Sequence, residues 1–133
     1  MYTIGVDLIE VHRIETALAR WGERFLRRVY TPAEIEYCAG RAGSLAARWA
    51  AKEAASKALG TGWAPQEMHD AGWIDWPEIE VLRQPSGEPG LRLHGKALAR
   101  AELLGIAGWR LSLSHTREHA VAMVLGWRDG PSA

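Results

Sequence analysis

Glu53 and Lys57 stand four residues apart in a stretch crowded with Ala46, Ala47, Ala50, Ala51, Ala54, Ala55 and Ala58. A helix through this stretch puts the carboxylate and the ammonium on one face, in the orientation that favours a pair. Asp7 is the second acid of interest. It sits in an apolar, β-branched segment, where a carboxylate loses hydration and is driven toward its neutral form unless a cation or strong donors stand beside it. An aspartate and a glutamate together offer hard oxygen ligands of the kind magnesium takes alongside water and phosphate oxygens. A lysine beside them offsets phosphate charge, and the combination suits transfer at a pyrophosphate. The same residues also fit blander roles: an ion-paired structural aspartate, and a solvated Glu53–Lys57 surface pair that contributes little.

Other candidate chemistries find less support. His115 and His119 have the spacing of a helical zinc-protease pair, but threonine follows the first histidine where that motif needs glutamate, and the context is strand-turn-strand. Gly60-Thr61-Gly62 follows a helix instead of opening one, with no glycine-lysine-serine sequence after it, so it reads as a helix stop. No serine has the glycine-x-serine-x-glycine setting of an esterase nucleophile. Lys plus Arg and Asp plus Glu are both 16 in 133 residues, so the chain lacks the basic excess of a nucleic-acid binder, and its seven tryptophans read as packing residues. Cys38, the only cysteine, excludes an internal disulfide and a cysteine-rich zinc site. With no signal-peptide pattern at Met1 to Asp7 and no apolar run of membrane-spanning length, the expectation is a cytoplasmic location without membrane contact.

The elements that must position these groups follow from periodicity. Residues 2 to 9 predict a buried strand, and Val11, Ile14, Leu18 and Trp21 an amphipathic helix from Glu10 to Trp21. Arg20, Arg24, Arg27 and Arg28 cluster around the next turn, opposed by Glu23 alone. Thr31-Pro32-Ala33-Glu34 has the form of a capping box with proline at the first helical position. Gly40 and Gly43 predict the end of that helix, and Ser44 the cap of a long one reaching Leu59 and closed by Gly60. Ile79 and Val81 predict a strand, residues 85 to 90 a turn, and Leu91 to His94 its partner. A helix over Gly95 to Leu104 precedes paired strands at Trp109 to Ser114 and Ala120 to Trp127. The class is α+β: an antiparallel sheet packed against a long helix and shorter helices. A single domain spans residues 1–128, and residues 129–133 form a short C-terminal tail.

Three segments together resemble holo-acyl-carrier-protein synthase, the short single-domain type of 4'-phosphopantetheinyl transferase. They are Gly5-Val6-Asp7-Leu8-Ile9-Glu10-Val11 through Arg13-Ile14; Arg48-Trp49-Ala50-Ala51-Lys52-Glu53-Ala54 through Ser56-Lys57-Ala58-Leu59-Gly60; and Ser112-Leu113-Ser114-His115-Thr116 with Ala120-Val121-Ala122. The middle segment is the specific one. The resemblance implies the fold of that family and transfer of phosphopantetheine from coenzyme A to a serine of an acyl carrier protein, in fatty-acid or polyketide synthesis. It implies Asp7 and Glu53 as Mg2+ ligands, with Lys57 on coenzyme A phosphates and Glu53, directly or through water, as the base. Arg48, His115 and Thr116 match positions associated with the nucleotide's phosphate. Ser86-Gly87 and Gly60 to Gly62 resemble backbone lining the cofactor site. Arg13 with Arg20, Arg24 and Arg28 resembles a docking face for the acidic carrier protein. A homotrimer with active sites between subunits is also implied. Trp49 stands where the family usually has phenylalanine, and Glu88 where relatives often carry a basic residue. Two competing classes are a metal-dependent nuclease using Asp7 and Glu53, which near-zero net charge disfavours, and a non-catalytic coenzyme A binding module.

Overall fold

The computed structural model describes residues 1–60 and 74–129. The chain runs β1 (Tyr2–Glu10), α1 (Val11–Trp21), α2 (Glu23–Val29), α3 (Pro32–Cys38), α4 (Ala42–Ala58), a 3-10 turn (Trp76–Glu78), β2 (Ile79–Arg83), β3 (Pro89–Leu93), α5 (Gly95–Leu103), β4 (Ile106–His115) and β5 (His119–Arg128). Sheet order is β1-β5-β4, antiparallel throughout, with Asp7 opposite Ala122 and Ala122 opposite Leu113. β2 and β3 form a separate antiparallel ribbon with Ile79 opposite Leu93. The predicted α+β architecture of a sheet against one long helix is what the chain adopts.

α4 lies along the inner face of the sheet, and seven of its buried side chains are alanines: Ala46, Ala47, Ala50, Ala51, Ala54, Ala55 and Ala58. The sheet meets them with Gly5, Ala120 and Ala122, so the two backbones approach closely. A Cβ at Gly5 would fall 1.8 Å from the Ala54 carbonyl oxygen. Only glycine lets β1 rest on the helix in this way.

Several elements differ from the sequence expectation. β1 buries one face only, because α4 covers one side of the sheet; Ile4, Val6 and Leu8 on the other side are exposed. The basic cluster predicted at a turn is largely helical, since Glu23–Val29 forms α2 after the Gly22 break. α4 begins at Ala42, so Ser44 lies inside its first turn and does not cap it. The turn before it is made by Ala39 and Gly40, at φ 48° and 77°. Gly43 is a packing glycine, not a stop: a Cβ there would meet the His115 ring at 2.9 Å. β3 begins at Pro89, two residues before the predicted Leu91. The capping box forms as predicted, with Glu34 N donating to Thr31 Oγ1 at 3.2 Å and Thr31 N to Glu34 Oε1 at 2.9 Å.

Candidate active site

Alternation along β1 turns Thr3, Gly5, Asp7 and Ile9 toward α4. Thr3 Oγ1 donates to the Ala58 carbonyl near the helix end, Gly5 rests against Ala54, and Asp7 meets Lys57. Lys57 Nζ donates to Asp7 Oδ1 at 3.1 Å and to the Val6 carbonyl at 3.0 Å. The cation that an aspartate in this setting requires is therefore Lys57, drawn from 50 residues away by the glycine-permitted contact. Both side chains are partly shielded, 31% and 17% exposed, so the pair is more than a solvated surface bridge. Glu53, half-buried, stands one turn before Lys57 on α4.

Among the described residues no group of three or more His, Cys, Asp or Glu side chains converges as a metal cage. Asp7 and Glu53 are hard oxygen donors of the kind magnesium takes. That ion takes one or two protein carboxylates and fills its octahedron with water and substrate phosphate oxygens.

A second charged station lies toward the other end of α4. A pocket of about 220 Å³ is lined by Tyr37, Ser44, Arg48, Arg83, Gly87 and His115, with Ala47, Leu82, Pro89 and Leu113 as its apolar wall. Arg48 is buried, its Nε has no hydrogen-bond partner among the described residues, and its guanidinium carbon sits 4.2 Å from the Tyr37 ring centroid. A buried cation with an orphaned donor creates a strong demand for an anion.

The structure brings together Arg48, Gly87 and His115 of the predicted cofactor residues and separates others. Gly60, with φ 77°, ends α4 at the far end from this pocket. Gly62 lies outside the described residues. Ser86 Oγ accepts from Glu88 N at 3.3 Å and so shapes the hairpin turn. Thr116 Oγ1 accepts from Glu118 N and His119 N, at 3.3 and 3.1 Å, holding the β4–β5 turn. Glu88 reaches Arg110 Nη1 at 2.7 Å. Tyr37, Ser44 and Arg83 line the pocket without having been found from sequence; an arginine closing a strand just before a turn is the one local hint, and Tyr37 gives none.

Between the two stations α4 is held by Lys52, which is fully buried. Its Nζ donates to Glu34 Oε1 at 2.7 Å, to the Ile79 carbonyl, and to the Trp76 carbonyl at 3.3 Å. Glu34 Oε2 accepts from Val81 N at 3.2 Å. Thr31 Oγ1 donates to Glu80 Oε2 at 2.7 Å, and Glu80 Oε1 lies 3.0 Å from His94 Nε2. Burial pushes the Lys52 ammonium below its ordinary range, against the pull of Glu34. Burial likewise pushes the Cys38 thiol up, against the opposing charge of Arg48.

Arg13 and Arg20 on α1 and Arg24 and Arg28 on α2 are all exposed, a basic face that also carries Trp21, 49% exposed beneath the Arg20 guanidinium. Arg27 is paired with Glu23 at 3.5 Å.

The family model of the 4'-phosphopantetheinyl transferase superfamily matches residues 3–124. Holo-[acyl-carrier-protein] synthase of Herpetosiphon aurantiacus is 55% identical over 126 residues, which is 95% of this chain and 98% of that protein. The protein of that name from Dehalococcoides mccartyi is 50% identical over 125 residues, 94% of this chain and 97% of the relative. The crystal structure of Helicobacter pylori holo-[acyl-carrier-protein] synthase in complex with coenzyme A superimposes with a TM-score of 0.78 at 30% identity, covering 93% of this chain and 99% of that one.

Proposed function

The chain belongs to the 4'-phosphopantetheinyl transferase superfamily, and from that membership we propose that it moves phosphopantetheine from coenzyme A to a serine of an apo-acyl carrier protein, releasing adenosine 3',5'-bisphosphate. The observation that carries the reading is the pair of charged stations on one helix. Arg48 and Lys57 are nine residues apart on α4, about 13.5 Å along the axis at 1.5 Å per residue and half a revolution around it. Coenzyme A carries a pyrophosphate and a separate phosphate monoester, one anion for each kind of station.

In this reading the pyrophosphate lies at Asp7, Glu53 and Lys57, and the nucleotide's phosphate at Arg48 and His115, with Gly87 in the pocket wall. Thr116, Ser86 and Gly60 act on the cofactor through the turns they belong to, and Gly62 is read as a further cofactor contact. Asp7 and Glu53 would hold Mg2+, which when bound offsets charge on the pyrophosphate oxygens. The Lys57 ammonium adds a fixed positive charge there while anchoring Asp7. The serine hydroxyl attacks the phosphorus bearing the pantetheine arm, and the bond to the adenosine-side phosphate breaks. Glu53 takes the hydroxyl proton, directly or through water. Negative charge then accumulates on the departing bisphosphate, where Lys57 counters it.

Exposed Arg13, Arg20, Arg24 and Arg28 form the carrier docking face, and opposite charge on the carrier protein would speed encounter and fix orientation. Charge reversal at Arg13 and Arg24 raises the carrier KM at low salt; unchanged kinetics would reject that face. We read the assembly as a homotrimer with active sites between subunits. The support is the exposed apolar sheet face of Tyr2, Ile4, Val6, Leu8, Val121 and Met123, wide enough to seek cover from a second copy. Light scattering of the purified protein tests this, and a monomer at working concentration would reject it. The domain is read as residues 1–128 with a short tail at 129–133. No helix among the described residues is long and apolar enough to cross a membrane; we read the place of work as the cytoplasm and the carriers as those of fatty-acid or polyketide synthesis.

The deciding experiment is the intact mass of an apo-acyl carrier protein after incubation with this protein, coenzyme A and Mg2+. A phosphopantetheine mass gain that disappears with Glu53→Gln is the expected result. No gain with several carriers would overturn the reading.

A further inference from the structure

Three guanidiniums from three parts of the chain meet at one ring. Arg48 of α4, Arg83 of β2 and Arg41 before α4 place their Cζ atoms 4.2, 5.4 and 5.6 Å from the Tyr37 centroid. Tyr37 holds each differently. Its ring face carries Arg48, its hydroxyl accepts from Arg83 Nη1, and its carbonyl accepts from Arg41 Nη2 at 2.7 Å. Arg83 Nε also donates to the Gly87 carbonyl at 3.3 Å, which ties the hairpin tip to the same point.

No ion pair among the described residues involves Arg41, Arg48 or Arg83. Three like charges this close repel one another, and burial of Arg48 adds a desolvation cost. A carboxylate would relieve both, but it would also cancel the attraction for an incoming anion. An aromatic face relieves the desolvation and leaves the charge uncancelled. It also leaves the guanidinium edge free, as the unpartnered Arg48 Nε shows.

We infer that Tyr37 is a positioning residue for anion recognition: it aims Arg48 and Arg83 into the pocket so that they grip the phosphate monoester of coenzyme A. This rests on the coenzyme A reading of the site and adds a specificity determinant to it. Tyr37 is 38% exposed at the pocket wall, so its replacement opens no core cavity.

The test uses two probes on the intact protein: adenosine 3',5'-bisphosphate in calorimetry, and coenzyme A against dephospho-coenzyme A, which lacks that phosphate, in the transfer assay. Tyr37→Leu, which loses both ring and hydroxyl, should weaken bisphosphate binding roughly tenfold, and Tyr37→Phe, which keeps the ring, about threefold. The loss should fall on the KM for coenzyme A more than on kcat, and the preference for coenzyme A over dephospho-coenzyme A should shrink by the same factor. A purely structural role would raise KM for both substrates alike and leave that preference intact, which would overturn the inference, as would unchanged bisphosphate affinity in Tyr37→Leu. If the wild-type protein binds the bisphosphate but transfers nothing, the functional reading fails while calorimetry still decides the role of Tyr37.

Discussion

Arg48 and Lys52 stand one turn apart on α4, both buried and both cationic, yet they use their donors in opposite ways. Lys52 has a carboxylate and two carbonyls around its ammonium. Arg48 has an aromatic face and an orphaned Nε. A buried charge neutralised by the protein itself belongs to the architecture, because nothing remains for a ligand to satisfy. A buried charge left open is a standing demand for one.

The comparison can be broken most directly at Lys52. Lys52→Met leaves the Glu34 carboxylate buried without its partner, a change that costs about 3–5 kcal/mol in comparable pairs. Urea unfolding should show a loss of that order, and a loss under about 1 kcal/mol would mean that the pair is not structural. Arg48→Met should behave in the reverse sense. Unfolding free energy should change by less than about 1 kcal/mol, since no protein partner is orphaned, while the KM for coenzyme A rises at least about tenfold with loss of a charged hydrogen bond. Equal stability losses in the two variants would erase the distinction.

The smallest expected effect lies where the Lys52 network reaches the surface. Burial raises the Glu80 carboxyl, but hydrogen bonds from Thr31 and His94 outweigh it and hold the group below its ordinary 4.5. A carboxyl with a depressed folded-state value contributes stability above the ordinary value and loses it as pH falls through the depressed one. The stability advantage of the wild type over Glu80→Gln should therefore be present near neutrality and vanish as pH falls below 4.5 and through the depressed value. A difference constant across that range would show that Glu80 acts through shape alone.

What the sequence made legible was local. The Thr31–Glu34 capping box lies within four residues, and helical spacing marked α1 and α4 because each helix carries its own period. Asp7, Glu53 and Lys57 stood out because charge in apolar or alanine-rich surroundings is anomalous wherever it occurs. Partners from distant segments were not legible. Lys57 pairs with Asp7 across 50 residues, and Glu34 reaches Val81 N across 47. Gly43 reads as a breaker until the His115 ring is seen against it, and Ser44 reads as a cap until α4 is seen to begin two residues earlier, at Ala42. Tyr37 and Arg83 meet only when the β2–β3 ribbon folds over α3, across 46 residues of chain.

The order β1-β5-β4 places the final strand in the middle of the sheet. A ribosome delivers β1 well before β5, so β1 lacks its partner strand until residues beyond His119 emerge. A nascent chain arrested at that point would already contain Asp7, Glu53, Lys57, Arg48 and His115, yet it would lack the strand that pairs with β1 along its length. Completion of the candidate site therefore waits for β5, and the slow step of folding should be closure of this distant pairing.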